Sequence, residues 1–172
     1  VISLVPLPAL AYEHMVVEIE GIAMCGEDGS RIAKVIAAAD DLPSLPAPLS
    51  HALRCGEMVF VGGQTALLPD GSVSKAGDLV GQSRTLMDRI GILLTDLGAE
   101  FNDAVKINRY YVAGGTAQEW EGAALACASF FDEPGPAATG IPIPFLCRDG
   151  LMASLEVTAM LKPDGTHAPR EH

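Results

Sequence analysis

The chain has 172 residues, 49% of them hydrophobic, which is enough for one domain that buries roughly 70% of its unfolded surface. Its formal net charge is −11, with 11 Lys and Arg against 22 Asp and Glu and no basic run, which argues against an electrostatic grip on nucleic acid or anionic lipid. No apolar run reaches the length of a membrane span, and the apolar start at 1–11 has no basic lead and is broken by Pro6 and Pro8, unlike a secretory signal.

The four cysteines, Cys25, Cys55, Cys127 and Cys147, are far apart and have no partner at zinc spacing. They read as reduced thiols of a cytoplasmic protein, mostly packed as small apolar side chains, with no metal expected.

Residues 1–14 read as an irregular arm. Residues 15–24 carry Val16, Val17, Ile19 and Ile22 and suggest a strand. A turn at 26–29 follows, and Ser30 is placed to cap a short helix through Ala39. Residues 40–48 hold three prolines and form a linker. Strands at 50–55 and 58–64 flank Gly56-Glu57 as a hairpin.

After a turn at 69–72, Asp78 opens the strongest helix. Leu79, Val80, Ser83, Leu86, Met87, Ile90, Leu93, Leu94 and Leu97 recur at steps of three and four, and Gly98 stops it. Residues 105–112 alternate as a strand. Thr116 and Glu119 make a capping box for a second helix from Ala117 to about Phe131. A Pro- and Gly-rich stretch ends that helix, and strand, loop and strand complete the chain. The order β-β-α-β-α-β-β predicts an α+β fold, a mixed sheet with both helices packed on one face.

The last strand alternates. Leu155, Val157, Ala159 and Leu161 share one face; Ser154, Glu156, Thr158 and Met160 share the other. Glu156 is thus a carboxylate on a mostly apolar strand. It is either a proton-transfer group or a residue on the solvated side of a half-buried sheet, and both readings stay open.

Gly62-Gly63 lets a backbone approach a ligand or bends its strand, but lacks the helix and Lys of a phosphate loop. His51 and Ser50 are strand neighbours that point opposite ways, which argues against a nucleophile pair and leaves a catalytic His51 the less favoured reading. Arg148 is a loop charge or a clamp for a substrate carboxylate. Cys147 has only Arg148 nearby to activate it. Trp120, Phe130 and Phe131 read as core.

Several motifs then fall in a familiar order. Pro48-Leu-Ser50, Met58-Val-Phe-Val-Gly-Gly-Gln64, a long helix ending Asp96-Leu-Gly98, Asp103-Ala-Val-Lys-Ile107, Phe130-Phe131, Pro136-Ala137 and Leu155-Glu-Val-Thr-Ala159 together resemble the RidA/YjgF family. The resemblance runs over 46–163, leaving an N-terminal extension at 1–45 and a flexible tail at 164–172. It implies a chorismate-mutase-like fold, a homotrimer with sites between subunits, and cofactor-free hydrolysis of imines and enamines to ketoacids and ammonia. By the resemblance, Glu156 stands near the reactive water and Gly63 lines the pocket.

The chain also departs from the family. Ala138, followed by Thr139, stands where the family's substrate-binding arginine would be. Leu49 replaces an aromatic residue, Ala124 an asparagine, and the stretch from Ala138 to Glu156 is longer. The resemblance therefore implies a divergent hydrolase or deaminase for a small, less anionic imine, enamine or related molecule. Glu156 would activate water, Gly62 and Gly63 would shape the pocket, Leu49, Ala138 and Thr139 would line it, and Arg148 would take over carboxylate binding. The alternative is a non-catalytic trimer that binds a metabolite or regulates a partner. A ribonuclease is the weakest reading, given the charge.

Overall fold

The computed structural model describes residues 1–38, 40–46 and 48–162. The final strand, β6 (Ala153–Met160), lies inside a six-stranded sheet that extends to either side of it. On one flank β3 (Met58–Thr65) pairs antiparallel with β6, β2 (Ala52–Cys55) with β3, and β1 (Lys34–Ile36) with β2. On the other flank β4 (Ala104–Val112) runs antiparallel to β6, and β5 (Ala137–Ile143) runs parallel to β4. The resulting order, β1-β2-β3-β6-β4-β5, is a mixed sheet. From β2 to β6, with α1 (Leu79–Asp96) and α2 (Ala117–Ala128), the element order is the one read from the sequence.

Both helices cover the same face. Val59, Val61, Ile107, Leu155, Val157 and Ala159 of the sheet pack with Leu86, Met87, Ile90, Leu93 and Leu94 of α1 and with Ala123 and Cys127 of α2. Each large side chain so buried contributes about 1.5–3 kcal/mol from removal of apolar surface from water. The period-two pattern of β6 is realised: Leu155, Val157 and Ala159 are buried under the helices, and Glu156 and Thr158 turn to the helix-free face.

The ends of α1 are built as the sequence suggested. The Asp78 side chain accepts from the Gly81 N–H at 2.8 Å. At the far end Gly98 takes φ +76°. This left-handed turn lets the Ala99 N–H reach Leu94 O at 2.9 Å and the Gly98 N–H reach Thr95 O at 3.0 Å. Inside α1, Gln82 is fully buried; its Nε2 donates to Lys75 O (3.0 Å) and Gly150 O (2.7 Å), and its Oε1 accepts from Met152 N–H (2.8 Å). One side chain thereby ties the start of α1 to the loop leading into β6.

The capping box of α2 forms, with Thr116 and Glu119 bonding each other's backbone. Helix α2 ends at Ala128 rather than near Phe131. Phe130 and Phe131 leave the helix to pack on Phe101, at ring-centroid distances of 5.3 and 5.4 Å. On the helix-covered side of β4 the Arg109 guanidinium lies 5.6 Å from the Trp120 ring centre and 5.9 Å from that of Tyr111. Of the cysteines, Cys55 and Cys127 are buried and free, and burial pushes the Cys127 thiol above its ordinary value; Cys25 and Cys147 are free and exposed rather than packed.

Two expectations for the first forty residues are corrected. Residues 15–24 form no strand; their apolar side chains stay in solvent, with Val16 93% and Ile19 87% exposed. The sheet edge beside β2 goes to β1 instead. Ser30 caps no helix: Arg31 bridges back to Cys25, and Lys34, Val35 and Ile36 pair with Cys55, Arg54 and Leu53. Val35 and Ile36 are β-branched and suit a pleated edge better than a short helix, so tertiary pairing overrides the local cap signal. Ala39 and the tail at 164–172 lie outside the described residues.

Candidate functional site on the helix-free face

The site begins with a backbone irregularity in β3. Val61 pairs with Val157 and Gln64 with Leu155, so Gly62 and Gly63 together oppose the single residue Glu156. This two-against-one bulge takes Gly63 out of the ladder and aims its N–H elsewhere. The bulge is fixed from behind: the Gly62 N–H donates to His51 O at 2.9 Å, and buried Gln64 donates through Nε2 to Gly62 O at 2.9 Å.

Across β6 the partner strand supplies donors. Asn108 is directly opposite Glu156 in the β4–β6 register, and Tyr110 is opposite Ser154. Asn108 Nδ2 donates to Glu156 Oε1 at 2.6 Å, and the Tyr110 hydroxyl donates to the same oxygen at 3.1 Å. Glu156 Oε2 faces the bulge and accepts a hydrogen bond from the Ser3 hydroxyl. Ser3 Oγ in turn accepts from the Gly63 N–H at 2.9 Å.

Tyr110 is held as a phenol. Its pKa is pushed up to about 12, first by burial and then by the Glu156 charge and hydrogen bond. The unfolded chain would lose this proton near the ordinary value of 10.0, so folded stability falls as pH rises from there toward about 12. In an absorbance titration of phenolate, one tyrosine should have its midpoint near 12 in the wild type. Glu156→Gln should lower that midpoint, because a negative charge next to the phenol is removed. An unchanged midpoint would separate Tyr110 from the carboxylate.

A cation also reaches this face. Lys106 lies two residues before Asn108 on β4, and its Nζ donates to Thr139 Oγ1 on β5 at 2.5 Å. Thr139 is the β5 partner of Asn108. The structure thus brings Gly62, Gly63, Glu156 and, one strand further out, Thr139 onto one face. It does not bring the others there. Ala138 alternates with Thr139 and turns to the opposite side of β5. Leu49 borders a separate shallow depression with Ile36, Leu42 and His51, whose Nε2 donates to Pro43 O at 2.8 Å. Arg148 is exposed near the 69–72 turn, its Nη2 3.8 Å from where a Cβ on Gly71 would stand. Ala124 is on α2, over the other face of the sheet.

Sequence reasoning missed Asn108, Tyr110, Lys106 and Ser3. The alternation of residues 106, 108 and 110 does put the first three on one face of β4, but only the strand register shows that this is the face of Glu156. Nothing in the sequence links Ser3 to Glu156. Among the described residues no group of three or more His, Cys, Asp or Glu could hold a metal ion, and no helix is long and apolar enough to cross a membrane.

Comparison with known proteins agrees with this framework. Residues 41–160 match the family model described as endoribonuclease L-PSP. A RutC family protein of Pyrococcus abyssi is 26% identical over 121 residues, covering 70% of this chain and 93% of that protein. Among solved structures, the Rid family protein YyfA of Yersinia pestis aligns with a TM-score of 0.64 at 22% identity, over 75% of this chain and 100% of that one. E. coli TdcF, solved with bound serine, aligns with a TM-score of 0.63 at 19% identity, over 74% of this chain and 99% of that one. At such identities the two structures speak for the fold alone. The family model spans well over half of the sequence, and the β-β-α-β-α-β-β core coincides with it: the chain belongs to the RidA/YjgF family, the endoribonuclease L-PSP family.

Proposed function

We infer that the protein is a cofactor-independent hydrolase that releases ammonia from a small imine or enamine, working as a homotrimer in the cytoplasm. The observation that carries this reading is the seat between Glu156 Oε2 and the Gly63 N–H, which holds one hydroxyl oxygen in hydrogen-bond reach of both. A water in that seat donates to the carboxylate and accepts from the amide. Glu156 then takes one proton of the water as its oxygen attacks the C=N carbon, and passes that proton to the nitrogen. The resulting carbinolamine collapses to a carbonyl and ammonia as Glu156 takes the hydroxyl proton and hands it to the departing nitrogen. Asn108 and Tyr110 hold Oε1, so that Oε2 is the oxygen turned to the water.

Selectivity follows from what surrounds the seat. Ala138 faces the opposite side of β5 and supplies nothing to the seat, and the Lys106 ammonium is already bonded to Thr139 Oγ1. Neutral imines should therefore be hydrolysed faster than imines carrying a carboxylate. Ammonia release from freshly generated imines of both kinds tests this, with light scattering on the same sample to read the oligomer. No release from either kind, or a monomer in solution, would remove the corresponding part of the reading.

One observation favours a second reading, a non-catalytic binding protein: the seat is filled by the chain's own Ser3. A small molecule retained in native mass spectrometry, together with no turnover, would decide for it. The TdcF structure, which contains serine, gives that reading a precedent.

A further inference from the structure

The groups that define the seat are taken up by residues that lie outside the 41–160 family match. Gly63 N–H is shared between Ser3 Oγ at 2.9 Å and Ile2 O at 3.1 Å. A Cβ on Gly62 would stand 2.7 Å from Ile2 O, 3.0 Å from Ile2 N and 3.1 Å from Val1 Cβ, so the bare glycine surface is what admits this segment. Further along, Val5 packs against the cluster of Tyr110, Ile143, Leu146 and Leu151. Between these two holds Leu4 is 67% exposed, and the Ile2 residue of the first hold is itself 39% exposed. The hydrogen bonds of this grip come from one hydroxyl and one carbonyl, and its packing contacts include Val1 over Gly62 and Val5.

We propose that Glu156 and the Gly63 N–H form a binding site for a hydroxymethyl group next to an amide carbonyl, and that Ile2 and Ser3 are its resident, displaceable occupant. The chemistry of the occupant specifies the ligand class. The hydroxyl must donate to a carboxylate and accept from an amide, and the preceding carbonyl must accept from the same amide. A neutral N-acyl β-hydroxy amide satisfies both, whereas its deoxy analogue leaves Glu156 Oε2 without that donor. Any ligand of the site, water-bearing imine included, then competes with the arm. An arm that is held by so few groups is suited to yield to it. The inference rests on the helix-free face being the binding face and not on imine hydrolysis.

The test uses the full chain, its Ser3→Asp variant and the probes N-acetyl-L-serinamide and N-acetyl-L-alaninamide. An aspartate at position 3 sets two carboxylates against each other and should release the arm without touching the sheet. Hydrogen exchange at the Gly63 amide, measured with no ligand, should be at least about tenfold faster in Ser3→Asp, because both of its acceptors belong to the arm. Titration followed by NMR should show N-acetyl-L-serinamide binding the variant at least about fivefold more tightly than wild type, and N-acetyl-L-alaninamide binding neither. Equal exchange in the two proteins would show that the arm does not hold Gly63. Equal affinity of the serinamide for both would show that it does not compete, and equal binding of the two probes would refute hydroxyl recognition. None of these readouts needs an imine, so a protein that hydrolyses none could still pass them, and a working hydrolase could fail them.

Discussion

Glu156→Gln should lower kcat for ammonia release from neutral imines by about 10²–10⁴-fold, the range lost when a general acid–base group is removed. The fold should survive, because glutamine has nearly the same shape and its amide oxygen still accepts from Asn108 Nδ2 and the Tyr110 hydroxyl. The affected step is proton removal from water, so the loss should fall in kcat rather than KM. Tyr110→Phe removes one of the two donors that orient the carboxylate and should cost much less. Rates equal to wild type for Glu156→Gln on every imine tried would exclude the carboxylate from the chemistry.

The largest structural effect is expected at Gln82. Gln82→Leu keeps the volume of the buried side chain but removes its bonds to Lys75 O, Gly150 O and Met152 N–H. The Met152 N–H then loses its acceptor, at about 1–3 kcal/mol, whereas Lys75 O and Gly150 O each lose one donor and keep the Asp78 and Gly77 N–H at 3.0 and 2.9 Å. A net loss of about 2 kcal/mol is expected, or roughly 4–8 °C in Tm for a chain of this size. Urea unfolding is the measurement, and a loss below about 1 kcal/mol would mean that Gln82 does not secure the approach to β6. The same variant should reduce activity through the position of β6, which carries Glu156.

Parts of this arrangement are legible in the residues themselves. The alternation from Ser154 to Met160 separates Glu156 from the core side, and the steps of three and four between Leu79 and Leu97 define α1. The Thr116 and Glu119 pair marks the start of α2. These signals are local, and local physics decided the outcome. Residues 15–24 carry strand-forming side chains, but they join neither edge of the sheet, and β1 takes the place beside β2. Ser30 has the chemistry of a cap, yet the residues after it gain more from the ladder with β2. The functional partners of Glu156 depend on register: Asn108 is 48 positions away and Ser3 is 153 positions away, and no short-range pattern specifies such meetings.

The chain's one tryptophan gives the molecule its own fluorophore. Trp120 lies against the Arg109 guanidinium, with the Tyr111 ring centre 6.5 Å away, and Arg109 and Tyr111 alternate along β4 with Asn108 and Tyr110. The backbone that positions the donors of Glu156 on one side positions the neighbours of the indole on the other. Emission from this single residue is therefore an optical signal for the state of β4, readable without any attached dye.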